Sequence, residues 1–289
     1  MPDLIIVSII YAATFTIAKW IMPEFIGAYG FILLRITAAA ILLTIVNPFF
    51  SKKKIPLKEN AKDLIICAFF GVAANMLMFF KGLSITHEIN GAVLMLFSPV
   101  FVFIFGLFLK TEKVYWWNII GIFIAAIGAL MFLGGGSFRI EAATAYGDLL
   151  IILNAISYAF FLVYVRKLLK KFHPITVTKF AFYFGFLMVL PFGLKEALNA
   201  NYGGMEMIHW GSLIFVLVMT TFVTYVLSAL AIKQGGSTIV GAYIYLQPVL
   251  AGVIAHIAGV DEITLVKVCF AAMIFLGVYL VSIKKHATN

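Results

Sequence analysis

Long apolar stretches separated by short polar connections dominate this chain. Ten of them run roughly over residues 3–21, 25–47, 62–81, 88–109, 114–133, 146–168, 174–194, 208–231, 237–258 and 264–283. About 20 apolar residues are needed to cross a hydrocarbon core ~30 Å thick, and each stretch is near that length. Lipid offers no partner to a free backbone N–H or C=O, so segments this continuously apolar are expected to be helices. The alternating strands of a membrane barrel are absent from the sequence. The pattern predicts an all-α, polytopic membrane protein with ten transmembrane helices and no separate soluble domain.

Composition agrees. Of 289 residues, 64% are hydrophobic and 11% charged, and the mean hydropathy is +1.10. A soluble domain is about half apolar and a quarter charged, so this chain has too little polar surface to face water all round. The first span lacks a basic leading segment, runs on to Lys19-Trp20 and has no small-residue cleavage site, so it is expected to remain as a helix. Cys67 and Cys269 fall inside spans and read as small core residues rather than a disulfide framework.

The net charge of +9 raises the question of nucleic acid. Its distribution answers it. With the N-terminus placed in the cytoplasm, fourteen Lys and Arg residues fall on the inner side, among them Lys52–Lys54, Arg166, Lys170 and Lys284, and five fall outside. Arg35 and Lys179 lie within spans, and most acids sit outside. This is the positive-inside bias, which predicts both termini in the cytoplasm of a multi-pass protein of the cell inner membrane. The basic residues orient helices, and no nucleic-acid partner is expected.

An internal repeat sharpens the reading. Ser98-Pro99-Val100 in the fourth span and Gln247-Pro248-Val249 in the ninth lie 149 residues apart, and the same offset matches Glu112 with Asp261 and Gly128 with Gly277. Tyr11 pairs with Tyr158, and Lys19 with Arg166, at an offset of 147. Pro23 and Pro174 precede or open the second span of each half. Halves of five spans, residues 1–137 and 138–289, must face opposite ways because five is odd. Inverted repeats of this kind mark secondary transporters, with the substrate site near mid-membrane between the halves.

With these segments the sequence resembles the drug/metabolite transporter superfamily, in its EamA-like branch. The likeness runs over the whole chain, once per half: Ser98-Pro99-Val100 through Thr111-Glu112-Lys113 and then Gly121 to Gly128, and Gln247-Pro248-Val249 through Asp261-Glu262 to Gly277. Leu34-Arg35 and the run from Gly147-Asp148 to Ser157-Tyr158-Ala159 add to it. The resemblance implies ten helices, cytoplasmic termini and alternating access. It also implies a central cavity lined mainly by the first, third, fourth, sixth, eighth and ninth helices, and export or exchange of small polar metabolites, often amino acids. The chain departs from the family's Trp-Gly-Ser-Asn-Phe-like run in the first helix, where it has Tyr11-Ala12-Ala13-Thr14-Phe15.

The candidate cavity residues come from helical spacing. Tyr11 and Phe15, Asn75 and Phe79, Asn154 and Tyr158, and Tyr243 and Gln247 are each four apart, while Thr220, Thr224 and Ser228 form a stripe with Tyr225 beside it. Residues i and i+4 share a helix face. Aromatic rings with a few amides and hydroxyls suit a neutral or zwitterionic metabolite; the plainer alternative for each residue is polar contact between packed helices. Arg35 lies mid-span, where an arginine costs at least ~2.5–3.5 kcal/mol on insertion scales. It reads either as a counter-ion to a substrate carboxylate or phosphate, or as a staple bonded to backbone carbonyls, the commoner case. Lys179 is expected to snorkel.

Pro99 and Pro248 remove a backbone bond each and are candidate paired hinges. His256, in the ninth span, is a candidate for proton linkage against the commoner reading of a neutral, satisfied histidine. No Asp or Glu falls in the middle third of a span, which favours facilitated diffusion or exchange over coupling through a buried carboxylate. Gly134-Gly135-Gly136-Ser137 lacks the context of a phosphate loop and reads as a flexible joint. No catalytic constellation, metal-ligand spacing or cofactor motif appears, so a membrane-embedded enzyme is the weaker rival; a channel is a third class. The leading expectation is a carrier for an amino acid or similar metabolite, the alternative a carrier for a nucleotide-like or cofactor-like anion. Short loops leave little surface for partners beyond lipid and substrate, and a monomer or weak dimer is expected.

Overall fold

The structure is a computed structural model that describes residues 2–51, 55–111, 115–133, 141–257 and 264–283, with the backbone alone at 15, 16, 19, 88, 89 and 255. The Gly134–Ser137 joint and the Glu112–Asp261 pair lie outside the described residues. The elements are helical: α1 (Pro2–Lys19), α2 (Ala28–Phe50), α3 (Leu57–Leu83), α4a (Glu88–Met95), α4b (Ser98–Phe108), α5 (Trp116–Phe132), α6 (Ala145–Leu169), α7 (Pro174–Leu198), α8 (Met207–Gly235), α9a (Ser237–Ala242), α9b (Leu246–Ile257) and α10 (Leu265–Ser282). Eight helical segments among the described residues are long and apolar enough to cross a membrane, and Pro2–Thr14 and Trp116–Phe132 are shorter apolar helices.

Each apolar stretch of the sequence coincides with one helix or helix pair. The third begins earlier than hydropathy implies, at Leu57 rather than near residue 62. Lys58, Glu59, Lys62 and Asp63 extend it as a polar first turn or two, because helix formation needs backbone bonding and not apolar side chains. A wide ring of large hydrophobic side chains points outward, with Phe49 83%, Phe108 79% and Leu265 80% exposed. Single exposed apolar residues are ordinary, but a surface this rich in them belongs against lipid.

Besides the single non-helical residue Val165 within α6, four irregularities interrupt the helices among the described residues. A π-helical segment occupies Phe69–Ala73 of α3 and another Val216–Val223 of α8. The fourth span breaks at Leu96-Phe97, and the ninth through a 3₁₀ turn at Tyr243–Tyr245. Pro99 and Pro248 stand in the first turn of the segment after each break. The first four N–H groups of a helix have no partner within it, so a proline there removes nothing the helix uses. The prolines thus begin new segments instead of kinking continuous ones.

Packing follows a regular scheme. The α2–α7 pair and the α5–α10 pair make the most extensive contacts. Helix α1 packs on α8 and α9b, and α6 packs on α3 and α4b; α2 meets α8, and α7 meets α3. Exchanging the first five spans for the last five turns each of these contacts into another. The ends of α2 and α7 are tied in kind. The Glu196 carboxylate, at the end of α7, accepts from the Tyr29 and Gly30 N–H groups at 2.8 and 3.0 Å. Asn47 Oδ1, at the end of α2, accepts from Thr176 Oγ1 in the first turn of α7 at 2.8 Å. Asn47 and Glu196 stand 149 residues apart, and a carboxylate at a helix N-terminus also complements its dipole.

Two glycines are required by geometry. Gly236 has φ 94° in the turn between α8 and α9a, a region that side chains disfavour. Gly277 lets α10 lie against α5: a Cβ there would stand 2.5 Å from Gly121 O and 2.6 Å from Ala125 N. Close approach through small residues is the usual way helices pack without a hydrophobic driving force. Gly277→Ala is therefore expected to destabilise the fold by about 1–3 kcal/mol, the range for overpacking, read as a lower melting temperature in detergent. Gly211→Ala, with nothing within 4 Å of the added Cβ, is expected to leave melting unchanged or raise it.

Candidate functional site

A cavity of about 110 Å³ is lined by residues from both the N- and C-terminal parts of the chain. Its wall comes from α1 (Leu4, Val7, Ser8, Tyr11, Thr14, Ala18), α3 (Asn75, Met76, Phe79, Phe80, Leu83), α6 (Asn154, Tyr158), α8 (Thr220, Tyr225, Ser228) and the ninth span (Val240, Tyr243, Ile244, Gln247), with Arg35 from α2 and Met95 from α4a. Eleven residues singled out in the sequence meet here: Tyr11, Arg35, Asn75, Phe79, Asn154, Tyr158, Thr220, Tyr225, Ser228, Tyr243 and Gln247.

The remaining candidates lie elsewhere. Thr224 is wholly buried, bonds back to Thr220 O at 2.5 Å and touches Tyr11, but is not part of the wall. The Phe15 side chain is outside the described residues. Pro99 and Pro248 are buried at the span breaks and do not line the cavity. His256 lies within the ninth span, exposed in the last turn of α9b and not part of the cavity wall. Lys179 rests its Nζ 4.9 Å from the Phe180 ring centroid and 5.9 Å from that of Tyr183.

Hydrogen bonds across helix boundaries fix the wall. Thr14 and Thr220 share a bond of 2.7 Å between α1 and α8. Ser8 Oγ donates to Tyr243 O at 3.1 Å, linking α1 to the ninth span. Asn154 Nδ2 donates to Asn75 O at 2.7 Å. Ser157 Oγ and Tyr225 OH donate to Phe70 O and Gly71 O at 2.8 and 2.9 Å. Both of these carbonyls belong to the π-helical segment of α3, where the regular ladder is disturbed and side chains can reach the backbone.

Arg35 has both of the features that its alternative readings separate. It is 3% exposed, and its Nε donates to Thr221 Oγ1 at 2.8 Å, with Thr221 donating in turn to Val216 O at 2.9 Å. Its guanidinium carbon lies 4.7 Å from the Phe80 ring centroid and 5.9 Å from that of Phe31, within the range of cation–π attraction. The staple therefore runs to a side-chain hydroxyl of the second half rather than to carbonyls, while the same side chain forms part of the cavity wall. No Asp or Glu lines the cavity among the described residues.

Spacing missed Ser8, Thr14, Met76, Phe80 and Met95. Thr14 was visible as the residue replacing the family's amide-bearing position; the apolar ones carry no signal that separates a cavity wall from ordinary packing. Thr221→Val would leave the buried Arg35 Nε without its acceptor. Hydrogen bonds to charged groups contribute about 1.5–3 kcal/mol, so a loss of stability in that range is expected by thermal unfolding in detergent, and Thr221→Ser should restore most of it.

Comparison with known proteins converges on one family. The EamA-like transporter family model matches residues 4–134 and again 145–283. The chain is 27% identical over 277 residues to the uncharacterized transporter YyaM of Bacillus subtilis, covering 94% of this chain and 89% of that one. It is also 27% identical over 227 residues to an uncharacterized transporter of Archaeoglobus fulgidus, covering 77% and 76%. A solved structure, described only as the crystal structure of a protein, superposes with a TM-score of 0.77 at 14% identity over 96% of this chain and 94% of its own, a likeness of fold.

Proposed function

The chain belongs to the EamA-like transporter family, and we propose that it is a secondary transporter that carries a small polar metabolite across the cell inner membrane by alternating access. Its two halves, residues 1–137 and 138–289, act in this reading as inverted repeats, with both termini in the cytoplasm. The observation that carries the reading is the cavity itself: a largely apolar and aromatic chamber with a few polar groups, whose wall draws on α1 and α3 of one half and on α6, α8 and the ninth span of the other. A site shared between two pseudo-equivalent bundles is what rocking of one against the other needs.

Further support comes from paired devices. The exchange of helix contacts between halves, the matched π-helical segments, the matched span breaks and the Asn47–Glu196 correspondence each recur once per half. Pro99 and Pro248 open the segments after the breaks and are the proposed hinges. The cargo is an amino acid or a metabolite of similar size; Arg35 in the wall favours one that bears an anionic group. With no carboxylate in the wall, exchange or facilitated diffusion is the proposed mode, and His256 has no part in it.

Counterflow in liposomes tests the proposal. The purified chain is expected to catalyse saturable exchange of at least one labelled metabolite from a panel of small amino, hydroxy and keto acids. Ion-like conductance without saturation would reassign it to a channel, and no exchange of any panel member would reject the function. A reporter fused to the C-terminus is expected to be active only in the cytoplasm; activity on the other side would reject the proposed topology.

A further inference from the structure

The charge balance of the cavity addresses what its cargo carries. Resting on the transporter reading, we propose that the cavity selects a small organic monoanion, a monocarboxylate that also offers one neutral hydrogen-bond donor, over a zwitterion of the same size. Arg35 is the one charged side chain in the described wall. A guanidinium has five N–H donors and no acceptor; here Nε is committed to Thr221 while Phe80 and Phe31 lie nearby. Among the described residues, no protein carboxylate shares the wall.

Charges interact strongly where water is scarce, and a net charge inside the membrane is costly. A bound monocarboxylate brings the loaded cavity to neutrality. A zwitterion leaves it at net positive charge, with an ammonium enclosed beside a guanidinium and no carboxylate to receive it. A dianion overshoots in the other direction.

A second observation defines the neutral donor. Asn154 is 1% exposed and uses its Nδ2 on Asn75 O, while its Oδ1 is buried without a hydrogen-bond partner. Ser228 Oγ, in the same wall, is also buried and without a partner. A buried acceptor left unpaired is destabilising, and a ligand O–H or N–H would satisfy it with no added charge. Leu83, Met76, Met95 and Val240 supply apolar surface for a hydrocarbon body. A 2-hydroxy monocarboxylate has all three features.

Matched pairs test this directly. Lactate, 2-hydroxy-4-methylpentanoate and 3-phenyllactate are compared with alanine, leucine and phenylalanine, and with the neutral amides of the hydroxy acids, by binding to the full chain in lipid nanodiscs. The best hydroxy acid is expected to bind at least about tenfold more tightly than its amino-acid counterpart, and the amides more weakly than either. Equal or tighter binding of the amino acids, amides matching the acids, or no binding by any hydroxy acid overturns the proposal. Asn154→Asp sets a carboxylate in the same wall and is expected to reverse the ranking in favour of the amino acids; an unchanged ranking overturns it. Ser228→Asp carries the same test should that variant fail to fold. Liposome counterflow separates this from the transporter reading. Exchange of amino acids alone would uphold transport and reject the monoanion, whereas tight binding of hydroxy acids without exchange of any compound would reject transport.

Discussion

Lipid cannot form hydrogen bonds, and nearly everything irregular in this fold follows from that constraint. A polar side chain brought into a span finds its partners inside the protein: many hydroxyls bond back to their own helix, as Thr37 does to Leu33 O and Thr224 to Thr220 O, and several others reach across to another helix. Thr14 meets Thr220, Asn154 meets the Asn75 carbonyl, and Ser157 and Tyr225 reach carbonyls of α3. Each of these bonds joins the first half of the chain to the second. The polar groups that make a cavity chemically useful are thus the same ones that hold its walls in register.

The interruptions obey the same rule. A π-helical segment loosens the i→i−4 ladder, and in lipid that would leave backbone groups unpaired. In α3 the affected carbonyls of Phe70 and Gly71 receive hydroxyls from α6 and α8; in α8 the Val216 carbonyl receives Thr221, which also accepts from Arg35. The prolines at the breaks in the fourth and ninth spans sit where no intrahelical N–H is needed. Irregular backbone is tolerated at membrane depth only where protein or a polar cavity covers it: Thr220, Tyr243 and Ile244 of two of these places line the cavity, and the α3 carbonyls are covered by side chains of α6 and α8.

The spans were legible in the sequence because hydropathy over twenty residues reports the solvent directly, and the break positions were legible because proline has few permitted sites. What sequence periodicity could not give was the azimuth of each helix. The i, i+4 rule assumes a continuous α-helix. In the π-helical segment of α8, bonds close at i→i+5, so Thr220 and Tyr225 line the cavity together while Thr224 is turned away. That one irregularity explains why a stripe drawn at four-residue spacing misplaces its central member. The Asn47–Glu196 correspondence was illegible for another reason: an amide and a carboxylate do the same job of receiving donors from the partner helix, with no identity of residue to betray it.

Arg35 shows where the likeness of the halves stops. The residues that stand 147 and 149 positions later are Phe182 and Phe184, and Phe182 is fully buried with its ring 4.9 Å from that of Tyr225. Helix contacts and helix-end ties recur in both parts of the chain, whereas Arg35 has no charged counterpart at either offset. A second buried arginine would double an electrostatic cost that lipid makes severe. Through its bond to Thr221, the single guanidinium links the first and second parts of the chain and also forms part of the cavity wall. Under the proposed transport function, the staple and counter-ion readings of Arg35 describe one side chain, its Nε bonded to Thr221 in a residue that also lines the cavity.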